Sequence, residues 1–312
     1  MTALVRLLRS PIYWLLVFVP VTLALELSGA EPVWLLAAAS LAIIPFAGLI
    51  GEATEALAAH TGPRIGGLLN ATLGNAAELI ITIVAIREGL LELVKASITG
   101  SIIGNLLFVL GLSMLWGGLR NGLQSFERRR AMTDSIQLLL AVTALAVPSL
   151  FVHSAAGING ATQVEALSLG VAGLMITIYL LGLVFSLRGG EGPMTRPSAE
   201  DVVHRPGWGV RGAFAVLAVA TAGVVWLSEV LVRQVEPVVL SLGISEFFLG
   251  VILVPVVGNI AEHLVAVKVA VQNRMSLSVE IAVGSSLQIA LFVVPALVFL
   301  SLAGGQIGRA HV

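Results

Sequence analysis

The chain has 312 residues, 57% hydrophobic and 11% charged, with a formal net charge of −1 and no cysteine. Its mean hydropathy is +1.01, and since a soluble domain of ordinary composition carries about 25% charged residues, this is an integral membrane protein. The near-neutral charge excludes a general attraction to nucleic acid, and the missing thiols exclude disulfides and thiolate metal centres.

Crossing the hydrocarbon core takes about 20 mostly apolar residues. That rule predicts nine spans, at 11–28, 33–57, 65–87, 94–118, 132–152, 164–187, 210–234, 245–272 and 276–303. The runs are too long and continuous for the alternating strands of a membrane barrel, so the fold is all-α. Met1 to Ser10 carries Arg6 and Arg9 ahead of an apolar run but lacks the small-residue cleavage site of a signal peptide, and it leads into the first span. The polar, Pro/Gly-rich stretch 188–209 reads as a linker between halves, with one short helical turn at Ala199 to Val203.

Basic residues fix the expected orientation, because cytoplasmic loops retain Lys and Arg. A cytoplasmic N-terminus places Arg6, Arg9, Arg64, Arg120, Arg128, Arg129, Arg130, Arg188, Arg196, Arg205, Arg211 and Arg274 inside. Arg87, Lys95 and Arg233 then fall outside.

The chain also repeats itself. At an offset of 184 positions, residues 74–115 align with 258–299 without a gap. Gly74, Asn75, Ala77, Glu78 and Leu93 match Gly258, Asn259, Ala261, Glu262 and Leu277. Gly100, Ser101, Leu107, Phe108 and Val109 match Gly284, Ser285, Leu291, Phe292 and Val293. Apolar bias alone does not produce a Gly-Asn-x-Ala-Glu block followed by Gly-Ser at one spacing. By span count the two glutamate helices run in opposite directions, and inverted repeats place a transporter's substrate site near the bilayer midplane.

Glu78 and Glu262 lie too deep in apolar sequence to reach an interface easily, and a carboxylate there costs at least about 2.5 kcal/mol. A lone intramembrane Glu can serve packing in its protonated form; a symmetric pair suits a divalent cation. Calcium takes about 6–8 oxygen ligands, and two carboxylates neutralise it. Gly74 and Gly258 stand one helical turn before each glutamate. With Asn75 and Asn259 beside them, and Pro255 upstream of the second, they predict helix breaks that free carbonyl oxygens, the alternative being close helix packing. Burial disfavours a carboxylate's charged form and a bound cation restores it, so calcium would displace protons, which is the chemistry of an antiporter.

These residues carry a family resemblance. "GLLNATLGNAAELI" at 67–80, "GSIIGNLLFVLG" at 100–111, "GISEFFLGVILVPVVGNIAEH" at 243–263 and "GSSLQIALFVVP" at 284–295 resemble the calcium/proton exchangers of the calcium/cation antiporter superfamily, over nearly all of 10–303. The resemblance implies an inverted-repeat fold and export of cytosolic Ca²⁺ against inward H⁺ flow, through a multi-pass protein of a prokaryotic inner membrane. Glu78 and Glu262 would be central ligands, with site roles for Asn75, Asn259, Ser101, Ser285 and Gln288. It needs no cofactor beyond the transported ions; a homo-oligomer stays open. Glu52 and Glu55 would join an access route or proton path, with Glu229 loosely comparable, against plain interfacial solvation. Ser101, Asn105, Ser285 and Gln288 could complete a coordination shell or proton path; interhelical hydrogen bonds, and small-residue packing at Gly100-x-x-x-Gly104, are the alternative. His263, replaced by Leu79 in the first copy, either relays protons or packs. A sodium/calcium or other divalent exchanger of the same fold is the rival, disfavoured because Ile289 aligns with Asn105.

The family has two five-helix halves after one extra helix. The expected division is therefore an extra helix in 1–31, a first repeat in 32–187, the linker, and an incomplete three-helix repeat in 210–303. Residues 304–312 are expected to be non-native, since Gln306 to Val312 reads as one frame of a common sequencing adapter; this predicts a coding sequence cut short.

Overall fold

A computed structural model describes residues 10–154, 160–187 and 208–303. The expected turn at Ala199 to Val203, most of the linker, and the tail at 304–312 lie outside these residues. Among the described residues every regular element is a helix, as lipid demands of a backbone that must satisfy its own hydrogen bonds.

Helix α1, Pro11–Ser28, opens as a 3₁₀ segment with proline in its first turn and stops at Gly29, whose φ of 65° is the left-handed conformation of a helix cap. Helix α2, Pro32–Leu73, runs through the loop expected at 58–64. It is not straight. A Cβ on Gly66 would lie 2.8 Å from the Ala58 Cβ, whereas eight residues of straight helix rise about 12 Å. Leu69 likewise packs against Ala56 and Leu57. The expected reversal is present, built from continuous helical turns.

The remaining helices are α3 (Ala76–Arg87), α4 (Leu91–Asn121), α5 (Arg128–Ser154), α6 (Gly160–Leu187), α7 (Val210–Leu242), α8 (Glu246–Val271) and α9 (Met275–Leu302). Eight helices are long and apolar enough to cross a membrane, against nine expected spans. The difference is the span expected at 65–87, which is split at Gly74–Asn75 and leaves α3 only 12 residues long. Helix α7 passes the predicted end at 234 and incorporates Pro237. It stops at Gly243, φ 66°, because one proline removes one backbone donor while Gly243 can turn the chain.

The chain forms two compact units, Met1–Ser97 with Pro197–Ala261 and Ile98–Arg196 with Glu262–Val312. In the first, α2 and α3 pack on α7 and α1 packs on α2. Ala47, Ile50 and Ala77 meet Ala220 and Val224 in its core. Lipid tails are as apolar as these side chains, so association rests on van der Waals fit and small residues serve it: a Cβ on Gly250 would stand 2.5 Å from that of Ala96. In the second unit α5, α6 and α9 pack together, and the Tyr179 and Phe292 rings stack at 5.1 Å. Gln124 donates to the Ala270 carbonyl at 2.8 Å and Asn121 to that of Val271 at 3.0 Å. The end of α8 leaves the Val271 carbonyl without a helical partner, while that of Ala270 also accepts from the Asn273 N–H at 3.0 Å.

Candidate functional site

In the first unit the break between α2 and α3 makes Asn75 the N-cap of α3 and sets Glu78 in its first turn. Both are buried, Glu78 4% exposed. The α3 N-terminus carries partial positive charge, which favours a carboxylate three residues in. Asn75 makes no side-chain cap bond; its carbonyl accepts from the Leu79 N–H at 3.0 Å. Thr82, one turn on, donates to the Glu78 carbonyl at 2.7 Å, securing that turn.

Asn259 of α8, 181 residues away in sequence, donates its side-chain N–H to Glu78 Oε1. A Cβ on Gly258 would lie 2.7 Å from Glu78 Cγ. The structure thus brings Asn75, Glu78, Gly258 and Asn259 together, with Gly74 in the turn ahead of α3. The break expected at Gly258 is absent, because α8 is continuous from Glu246 to Val271 despite Pro255. There the missing side chain makes room for Glu78, so close packing is the reason for this glycine. At Gly74 the break is present.

In the second unit Glu262, one turn after Gly258 on α8, is half-buried, with its Oε2 shielded from solvent. Its neighbour His263 is buried, and its Nε2 hydrogen-bonds Asn105 Oδ1 at 2.9 Å. Asn105 lies in a π-helical segment of α4, Gly104–Val109, and that segment packs against α9. Ser101, Ser285 and Gln288 are also buried on these two helices. The Ser285 hydroxyl has no hydrogen-bond partner among the described residues. Gly104 does not serve close packing, since a Cβ there would meet nothing within 4 Å. A second π segment, Ile289–Val293 in α9, falls at the position the repeat offset assigns to 105–109. Single π turns concentrate at functional sites because the extra residue redirects side chains and carbonyls.

Glu52 and Glu55 are exposed on α2 and Glu229 is half-buried on α7. Among the described residues, no three His, Asp or Glu side chains gather as a ready metal cluster. Sequence reading missed three groups. Tyr13 donates to Glu52 Oε1 at 2.5 Å, Arg130 and Glu280 form an ion pair at 2.5 Å with Glu280 9% exposed, and Asp134 is buried one turn after Arg130. The available signal was an acid inside an apolar run, at 134 and at 280, the same signal that singled out Glu78.

Residues 31–188 and 212–310 match the family described as sodium/calcium exchanger protein. The chain is 43% identical over 307 residues to a Ca(2+)/H(+) antiporter of Aphanothece halophytica, covering 94% of this chain and 82% of that protein. It is 45% identical over 264 residues to the Ca(2+)/H(+) antiporter ChaA of Bacillus subtilis (strain 168), covering 83% and 74%. Among solved structures, native YfkE matches with a TM-score of 0.79 at 39% identity, covering 94% of this chain and 83% of that one.

Proposed function

The chain belongs to the sodium/calcium exchanger protein family, and from that premise we propose that it is a multi-pass secondary transporter exchanging Ca²⁺ for H⁺. It works by alternating access, expelling cytosolic calcium on inward proton flow, in a prokaryotic inner membrane with its N-terminus in the cytoplasm. Relatives at 43% and 45% identity carry the name Ca(2+)/H(+) antiporter, which supports this exchange over a sodium-driven one. The transported ions are its substrates, and no cofactor is needed.

The observation that carries the reading is the buried Glu78 carboxylate, gripped by Asn259 from the second copy of the same short word. A carboxylate held deep in an apolar protein is costly unless neutralised, by a proton or by a cation. Glu78 and Glu262 together supply the two charges a calcium ion needs. Gly74, Asn75, Gly258 and Asn259 shape the site and lend oxygens and amide donors. Calcium arriving on both carboxylates releases their protons, and protons arriving from the other side release calcium. Net charge at the site is then the same in both loaded states, so neither state drags a bare charge through low dielectric. Ser101, Asn105, His263, Ser285 and Gln288 carry the second tier of the cation or proton path, and Glu52 and Glu55 the cytoplasmic access.

Everted membrane vesicles carrying the protein test this directly. An acid-inside gradient is expected to drive uptake of radiolabelled Ca²⁺, a protonophore to stop it, and Glu78→Gln or Glu262→Gln each to abolish it. Uptake that ignores the protonophore and requires a sodium gradient would overturn the proposal.

A further inference from the structure

Helix α1 buries two side chains, Tyr13 and Thr22. Thr22 returns its hydroxyl to its own backbone, donating to the Phe18 carbonyl at 2.7 Å. Tyr13, 6% exposed, instead points at α2. Its ring lies over Gly48, where a Cβ would stand 3.5 Å from the phenol oxygen. One turn further along α2 the hydroxyl donates to Glu52 Oε1 at 2.5 Å. Glu52 is itself exposed, inside the apolar span Pro32–Thr61.

This is an unusual way to spend an aromatic side chain in a helix that otherwise shows mostly apolar surface. A glutamate has three freely rotating torsions, and an exposed one ordinarily samples many positions. A phenol hydroxyl on a carboxylate makes a short, charge-assisted bond that removes that freedom. It occupies one oxygen and leaves the other presented in a fixed direction. The fixed direction matters only if something arrives there.

We propose that Tyr13 is a positioning residue for cation capture: it holds the Glu52 carboxylate in one orientation from which that carboxylate receives Ca²⁺ on its way to the exchange site. Helix α1 is therefore a working part of the access route through this one hydroxyl. The inference rests on the proposed role of Glu52 in cytoplasmic access. Capture precedes the exchange step, so the bond acts on the calcium concentration needed and leaves the turnover at saturation to the deeper site.

The test measures initial rates of proton-driven Ca²⁺ uptake against free Ca²⁺ in everted vesicles for the parent chain, Tyr13→Phe, Glu52→Gln and the double variant. Phenylalanine keeps the ring over Gly48 and deletes only the hydroxyl. Tyr13→Phe is expected to raise KM about ten- to hundredfold, the worth of one hydrogen bond to a charged group, with kcat unchanged. Glu52→Gln is expected to raise KM at least as much, and the double variant to match Glu52→Gln alone, because the hydroxyl acts only through that carboxylate. A Tyr13→Phe variant with the parent's KM, one that loses kcat in place of KM, or a double variant whose KM is the product of the two single effects would each overturn the assignment. If Glu52→Gln leaves KM untouched, the access role of Glu52 fails and the Tyr13 assignment fails with it, while uptake itself still reports on exchange at Glu78 and Glu262.

Discussion

At Gly74–Asn75 the chain leaves one helix and starts another, whereas at the aligned Gly258–Asn259 helix α8 runs on unbroken. One dipeptide word therefore supports two backbones. Glycine permits a break by lowering its cost and does not impose one. In the first copy Asn75 becomes a helix cap and brings Glu78 under the positive end of α3. In the second, Gly258 is the floor on which Glu78 rests, and Asn259 is its donor. The copies diverge again 22 residues beyond each glycine. Ala96 packs against Gly250, while the aligned Glu280 pairs with Arg130. They agree in the π segments at 104–109 and 289–293.

The largest effect should appear where the copies are proposed to act alike. Glu78→Gln and Glu262→Gln should each reduce gradient-driven Ca²⁺ uptake to background; a single silent one would break the pairing of the two words. The next effect separates the copies at 96 and 280. Glu280→Ala removes one acidic partner of the Arg130 guanidinium and should destabilise the protein by about 1.5–3 kcal/mol, while replacing both Arg130 and Glu280 with methionine should recover most of that loss. Unfolding in detergent, followed by circular dichroism, reads this, and equal losses in the single and double variants would show that the pair contributes nothing specific.

A smaller difference is expected between the two aligned glycines. Gly258→Ala drives a methyl group into Glu78 Cγ and should cost about 1–3 kcal/mol, as overpacking does, seen as weaker Ca²⁺ activation of uptake. Gly74 does not have a left-handed φ, so Gly74→Ala should be milder, and the reverse ranking would mean that the break and not the contact is what glycine serves. The asparagines should differ least. Asn259→Ala removes the donor to Glu78, worth about 1.5–3 kcal/mol for a bond to a charged group. Asn75→Ala removes a buried side chain at the N-terminus of α3 and should cost a similar amount, about 1–3 kcal/mol, with Ca²⁺ dependence of uptake as the readout for both.

Much of this was legible in the chain itself. Hydropathy located the helices, and the reversal expected between 57 and 65 is present, although as bent helix and not as a loop. The offset repeat led to Glu78 and Asn259, which touch. Hydropathy could not foresee that the third span is cut at Gly74–Asn75, because the surrounding residues are equally apolar on both sides. Nor could periodicity find Tyr13, Asp134 or the Arg130–Glu280 pair: their partners come from other helices or lie outside any repeated word.

The sequence by itself determined that the chain is all-helical, membrane-embedded and internally duplicated. Each of these depends on local composition, since in lipid a helix satisfies its own backbone and needs only enough apolar residues to cross. Tertiary structure alone decided which glycine breaks its helix, which asparagine caps and which one grips a carboxylate, and which acid each cation or hydroxyl serves. Those outcomes depend on distances of a few ångströms between residues far apart in the chain, and no local pattern encodes them.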